Sequence, residues 1–394
     1  MSILHRTPAV RWAVPVAVAA LLIGGGAVVG TVTAGAAGTP LPARSAAQLV
    51  ADVHASEITG LSGTVVQTSD LGIPELPSIG TSPLPGGMGS SDLTALISGT
   101  HTLRLWYSGP QQIRLALLGS LGESDIIRNG PDLWIWSSTS NTATHRTLPE
   151  RQPAATHGSS VTGPPGTGLP MSPQQAAALA LRAISPSTAV STGPAVTVAG
   201  RAAHELVLRP RDDRSLVAQV RIAIDAAEHV PLRVQVYADG QADPAFQIGF
   251  TSVDFSRPDP AQFAFHPPPG ATVDEAGRGE HRPPDSGTAV PRPHAGGAAA
   301  ARKIVGSGWT SVLVTGADDD LGAVLPGAGT GRPAEQHPGN PLGRVLAALP
   351  RVSGSWGSGR LLRSSLLSAV ITDDGRLAVG AVAPDLLYQA LGSA

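Results

Sequence analysis

Along residues 101–148 apolar and polar side chains alternate with a period of two. Leu103, Leu105 and Tyr107 alternate with Arg104 and Ser108, and Ile113, Leu115 and Leu117 alternate with Arg114 and Ala116. Such runs offer one apolar face each, the mark of half-buried strands. Ser-Gly-Pro, Gly-Ser, Asn-Gly-Pro and Thr-Ser-Asn divide the segment into five short runs, which together predict an antiparallel meander. Trp134-Ile135-Trp136 is apolar on both faces. It predicts cover on both sides: a helix layer on one, a folded-over sheet or an apolar ligand on the other. Two sets of side chains therefore compete for an inner, cavity-lining face: Leu103, Leu105, Tyr107, Ile113, Leu115 and Leu117, or Trp134 and Trp136. A one-residue slip in register would exchange them.

The same patterning divides the rest of the chain. Ser45 and Gln48 form a capping box ahead of a helix with Leu49, Val50 and Val53 on one face, expected to end near Gly60 and hand over to a strand at residues 61–68. Residues 70–91 are rich in Pro and Gly and longer than most connections, yet carry Leu71, Ile73, Leu76, Ile79 and Leu84. Two readings stay open: a flap over a cavity mouth, or an Ω-loop packed on itself. Residues 151–171 read as a flexible connector. Ser172, Pro173 and Gln175 then supply the N-cap, first-turn proline and capping glutamine of a second helix, whose apolar face is made of small residues such as Ala176, Ala177, Ala180 and Ala183. Strand runs resume from residue 187 and continue through the Phe-Ala-Phe-His run ending at His266. Residues 271–302 have the composition of a disordered linker. Residues 303–394 predict a small α+β lobe: a strand around 304–314, a helix at 342–349, a hairpin of 361–371 with 377–382 turning at Asp374-Gly375, and a terminal helix at 385–391 behind Pro384.

Ile126-Ile127-Arg128-Asn129-Gly130, followed by Leu133-Trp134-Ile135-Trp136, resembles the strand, turn-glycine, Leu-Trp-x-aromatic hairpin of the LolA-type lipoprotein-carrier proteins and the related RseB (MucB) sigma-factor regulators. The resemblance runs over residues 43–267 and has the look of an actinobacterial member. It implies an α+β fold in which an incomplete antiparallel β-barrel wraps lid helices around an apolar cavity for acyl chains, over residues 41–270. The RseB-type regulators also carry a C-terminal lobe, although no residue-level motif extends the likeness to residues 303–394.

Composition narrows the function classes. With 27 Lys+Arg against 29 Asp+Glu the 394-residue chain has a net charge of −2 and lacks basic runs, which sets nucleic-acid binding aside. Only Lys303 is lysine, and Ala, Gly, Pro and Arg abound, the signature of a GC-rich bacterial genome. Cysteine is absent, which excludes disulfides, thiolate chemistry and a lipidated N-terminal Cys. Arg6 and Arg11 precede an uncharged run over residues 12–43 that marks residues 1–37 as an export segment. Its length favours a retained membrane anchor, while Ala34-Gly35-Ala36 offers a signal-peptide cleavage site. Either way the rest of the chain is placed outside the cytoplasmic membrane.

No catalytic constellation emerges. The 11 histidines are scattered without His-Glu-x-x-His spacing, and no Gly-x-Ser-x-Gly elbow occurs. Gly327–Gly331 lacks the strand and helix of a dinucleotide loop, and the consecutive acids Asp318, Asp319 and Asp320 fail the alternation of a calcium loop. Glu123 and Asp125 read as solubilising groups at a strand end rather than an acid–base pair. The expectation is a binding protein and not an enzyme, with no cofactor and no metal. Its partners would be the acyl chain of a lipid or lipoprotein, the membrane, and a membrane protein if it acts as a sensor rather than a carrier.

Overall fold

The computed structural model describes residues 41–72, 99–119, 122–148, 185–275, 303–316 and 348–393. The export segment, residues 73–98, the 151–171 connector, the second helix, residues 276–302, the acidic and glycine-rich runs at 318–331, and nearly all of the 342–349 helix lie outside the described residues. Among those described, no helix is long and apolar enough to cross a membrane.

The chain is an α+β protein built on an open antiparallel sheet with a smaller lobe after it. Helix α1 (Ala46–Ala55) starts from the foreseen capping box, with Ser45 accepting from the Gln48 amide and the Gln48 side chain accepting from the Ser45 amide. It stops at Ala55 rather than near Gly60, because Ser56 turns to extended backbone. The sheet follows as β1 (Leu61–Ser69), β2 (Gly99–Tyr107), β3 (Gln112–Leu118), β4 (Glu123–Asn129), β5 (Asp132–Ser137), β6 (Thr142–Thr147), β7 (Thr188–Thr192), β8 (Val196–Val198), β9 (Arg201–Pro210), β10 (Val217–Asp225), β11 (Pro231–Ala238), β12 (Pro244–Asp254) and β13 (Thr272–Glu275). The foreseen meander is β2 to β6. Its neighbours run β13-β6-β5-β4-β3-β2-β1-β12-β11-β10-β9-β7, with β8 on β9, so β1 joins two antiparallel ribbons. No pairing closes β13 onto β7 among the described residues.

Two sequence expectations change at the end of this sheet. The Phe-Ala-Phe-His run is not a strand: Asp259 caps a 3₁₀ turn, Pro260–Phe263, and proline at its start withholds the donor a ladder needs. Residues 272–275, assigned by composition to the linker, instead form β13, the one parallel strand, alongside β6. Thr272 and Val273 there are good strand formers that a window dominated by Gly, Pro and charge conceals.

The C-terminal lobe is a six-stranded sheet, ordered β14-β15-β19-β18-β17-β16, from β14 (Lys303–Val305), β15 (Val312–Thr315), β16 (Arg351–Gly354), β17 (Gly357–Arg363), β18 (Ser368–Thr372) and β19 (Leu377–Gly380). The single run 361–371 is thus two strands with a turn at 364–367, where Ser364 exchanges backbone and hydroxyl hydrogen bonds with Leu367. Terminal helix α2 (Pro384–Gly392) lays Leu387, Ala390 and Leu391 on Val312, Val314 and Val370 to form this lobe's core.

The lobe touches the large sheet in three places. The Leu216 amide donates to the Ala381 carbonyl at 2.9 Å beside a Ser215–Val382 bridge, and the Trp309 indole donates to the Thr188 hydroxyl at 2.8 Å. At the third place the Ser365 amide donates to the Leu71 carbonyl at 2.8 Å and its hydroxyl to the Asp70 carbonyl at 3.2 Å.

Candidate functional site

Cross-strand pairing fixes which side chains share a face, because directly opposed residues of an antiparallel ladder point the same way. One row runs Gly63–Leu105–Leu115–Ile126–Ile135 across β1 to β5, flanked by Val65–Leu103–Leu117 and by Leu61–Tyr107–Ile113. The row between them runs Trp106–Arg114–Ile127–Trp134–His145 and ends on Glu275 of β13. The six residues of the leucine set therefore lie together on one face, here the inner face. Trp134 and Trp136 lie together on the outer one. The structure brings each candidate set together and separates the two sets.

The inner face changes character along the sheet. At the β7–β10 end α1 covers it, with Leu49, Val50 and Ala51 packed on Leu206 and Ile224. In the middle Val65, Leu103, Phe246 and Ile248 are buried, and Leu366, from the 364–367 turn of the C-terminal lobe, packs against them. Towards β3, β4 and β5 the cover thins. Leu105, Tyr107, Ile113, Leu115, Leu117, Ile126, Leu133 and Ile135 are all only half-buried.

One polar side chain of this face is sealed beside the buried cluster. Gln67 of β1 lies opposite Ile248 on one side and His101 on the other, on the same face as Val65. It is 0 % exposed, and neither amide atom finds a hydrogen-bond partner among the described residues. Its period-two position was legible in the sequence; its isolation was not.

The outer face is clamped by protein. Phe263 is fully buried, and Phe265 lies with its ring centre 5.4 Å from that of Trp134 and 6.0 Å from that of Trp136. The segment misread as a strand is thus the lid on the tryptophans. Trp106 carries Arg104 and Arg114 over its ring at 5.2 and 5.3 Å, in cation–π geometry. Asp125 is no solubilising group: it is 3 % exposed and accepts from Arg114 at 2.8 Å, with Glu123 at 3.6 Å from the same guanidinium. Burial pushes the Asp125 carboxyl above its ordinary range, against the pull of the Arg114 hydrogen bond and charge.

His145 closes this row. Its ring stacks on Trp134 at 4.3 Å, with Nδ1 3.0 Å from Glu275 and Nε2 2.9 Å from Asp132. A neutral imidazole has one N–H and satisfies one carboxylate; the imidazolium satisfies both. Burial of the ring works against protonation, but the hydrogen bonds and charges of Asp132 and Glu275 outweigh it and hold the pKa above its ordinary value. The two carboxylates sit on opposite ring nitrogens, so they share no point for a metal, and no group of three or more metal-ligating side chains converges among the described residues. Among the described residues the molecule presents a curtain of strands whose inner apolar row is incompletely covered.

No family model matches the chain, and no curated protein matches it. Solved structures give distant likenesses. The MucA/MucB complex of Pseudomonas aeruginosa aligns at 15% identity over 87% of this chain and 94% of that one, with a TM-score of 0.38. An uncharacterized conserved protein from Thermus thermophilus aligns at 11% identity over 58% and 96%, with a TM-score of 0.31. A LolA superfamily protein from Nitrosomonas europaea aligns at 8% identity over 57% and 99%, with a TM-score of 0.20. Likenesses of this size assign neither family nor activity to this chain, so its function has to be argued from its own faces.

Proposed function

We infer that this chain is an extracytoplasmic binding protein, anchored to the membrane or secreted, that holds acyl chains of lipids or lipoproteins against its inner sheet face. One observation carries the reading. The central inner row Leu105–Leu115–Ile126–Ile135 is apolar and half-buried, with Ser124 and Arg128 beside it, and among the described residues the helix α1 covers this face at the other end of the sheet. An acyl chain laid on Leu105, Leu115, Ile126 and Ile135 would lose water contact at about 0.8 kcal/mol per buried CH₂. The leucine set lines that site, while Trp134 and Trp136 back it from the far face. The test is native mass spectrometry of the full chain from its own host, followed by delipidation and rebinding of a fluorescent fatty acid. Co-purifying lipid and saturable rebinding support the reading; a lipid-free protein that binds no acyl probe overturns it.

A second reading is favoured by Leu366. Because the C-terminal lobe contributes a side chain to the inner-face cluster, ligand and lobe compete for the same apolar surface. The protein then acts as a sensor that reports acyl occupancy to a membrane protein partner, rather than as a carrier. Lipid-dependent capture of one membrane protein by the anchored chain distinguishes the two.

A further inference from the structure

A side-chain amide sealed in apolar surroundings without a partner is costly, and native proteins seldom keep one without a use. Gln67 is buried and without a hydrogen-bond partner among the described residues, and the apolar cluster beside it is packed by a turn of the C-terminal lobe. The turn at 364–367 is held rigid by Ser364 and Leu367 and fastens through Ser365 to the Asp70 and Leu71 carbonyls, immediately beyond β1. Leu366 from this turn packs on the cluster that includes Ile248, the residue opposite Gln67. Among the described residues the fastening consists of two hydrogen bonds and one leucine. Lifting the turn would uncover the amide at the floor of the apolar face without disturbing the ladder that positions it.

We propose that Gln67 is the polar contact of the acyl site, its Nε2 donating to the carbonyl oxygen of a fatty acid or fatty ester when the 364–367 turn withdraws. This rests on the acyl reading above and adds to it the group that recognises the ligand's head. Hydrocarbon alone would satisfy the leucines and leave the amide unpaired. A carbonyl-bearing chain satisfies both, so discrimination between them is set at this one residue. The covered state is then held ready rather than optimised, because the apolar side chains packed beside the amide cannot answer it.

The test uses the full chain, delipidated, with oleate, methyl oleate and a hydrocarbon of equal length as competitors of a fluorescent apolar dye. Gln67→Leu and the unbranched Gln67→Met both remove the amide. Each is expected to weaken oleate and methyl oleate about tenfold, about 1.4 kcal/mol, while the hydrocarbon keeps its affinity. Each is also expected to raise the melting temperature of the ligand-free protein, since the unpaired amide is gone. Loss confined to oleate identifies the head as a free acid; equal loss for the ester identifies the shared carbonyl. Unchanged discrimination among the three ligands in both variants overturns the proposal while leaving the acyl reading intact. Failure of the wild-type chain to bind any of the three overturns the acyl reading itself.

Discussion

The two ribbons that meet at β1 bury their faces by opposite means. In the β7–β12 ribbon α1 sits on the inner face, while the outer face mixes ion pairs and hydrogen bonds with buried apolar side chains: Glu205 lies 3.6 Å from Arg221 and 3.8 Å from Arg233, Gln235 donates to Gln247, and Ala203, Val207 and Ala223 are buried beside them. In the β2–β6 ribbon Phe265 covers the tryptophans of the outer face, where Ile127 and Trp136 are buried and Trp106 and Trp134 half-buried, and the inner leucine set beyond Leu103 is half-buried. The helix on the inner face thus serves one ribbon and the phenylalanine cover on the outer face the other, and it is the inner face beyond the reach of α1 whose apolar side chains stay half-buried.

The sharpest way to break this comparison is to truncate one residue of each face. Trp136→Ala, on the closed side, is expected to cost about 3–5 kcal/mol of stability, measured by denaturant unfolding, with acyl affinity unchanged in whatever fraction stays folded. Loss of binding at full stability would move the site to the outer face. Leu115→Arg, on the half-covered side, should abolish acyl-probe binding and cost less stability than Trp136→Ala, because a half-buried position leaves the guanidinium a route to water. Global unfolding by Leu115→Arg would make that face an ordinary core.

A smaller effect is expected at the turn that links the ribbons to the C-terminal lobe. Leu366→Ala loosens the cover and should strengthen acyl-probe binding several-fold; weaker binding would make Leu366 part of the site's wall instead. The smallest effect concerns His145. Its pKa is raised in the folded protein, so the stabilisation it gives to β13 is fully present below its unfolded value of about 6.5 and is lost as pH rises through the folded value. The hydrogen-exchange protection factors of residues 272–275, each rate taken relative to the unstructured chain at the same pH, should accordingly fall on the alkaline side, and His145→Gln should abolish that fall. A pH-independent protection factor in the unmodified chain would show that the histidine does not fasten this strand.

Much of the fold was legible because it is local. The capping box at Ser45, the period-two runs of β2 to β6 and the terminal helix behind Pro384 are written in neighbouring residues, and each formed where expected. What stayed hidden is set by distant pairing. The assignment of the leucines and tryptophans to opposite faces depends on register; the role of Phe265 depends on a 3₁₀ turn returning to strands formed more than a hundred residues earlier. Asp125 was misread because its partner, Arg114, lies on the neighbouring strand and only the ladder places them side by side. Gln67 could be seen as a glutamine in an apolar row. Its want of a partner belongs to the packing alone.

The central position of β1 also sets an order of events. Ser62 pairs with Asp254, about 190 residues later, and the Trp134–Trp136 face is covered only by residues that follow β12. As the chain emerges from its N-terminus, the β2–β6 hairpins can zip by local contacts while both of their apolar faces remain wet, and β1 waits for a partner strand that has yet to be made. Non-local pairing of this kind slows folding and prolongs the time for which strand edges and aromatic rows are open to misassociation. Survival of the newborn chain is therefore a kinetic matter: whatever holds residues 61–148 apart from its neighbours until residue 265 has arrived decides the yield of protein.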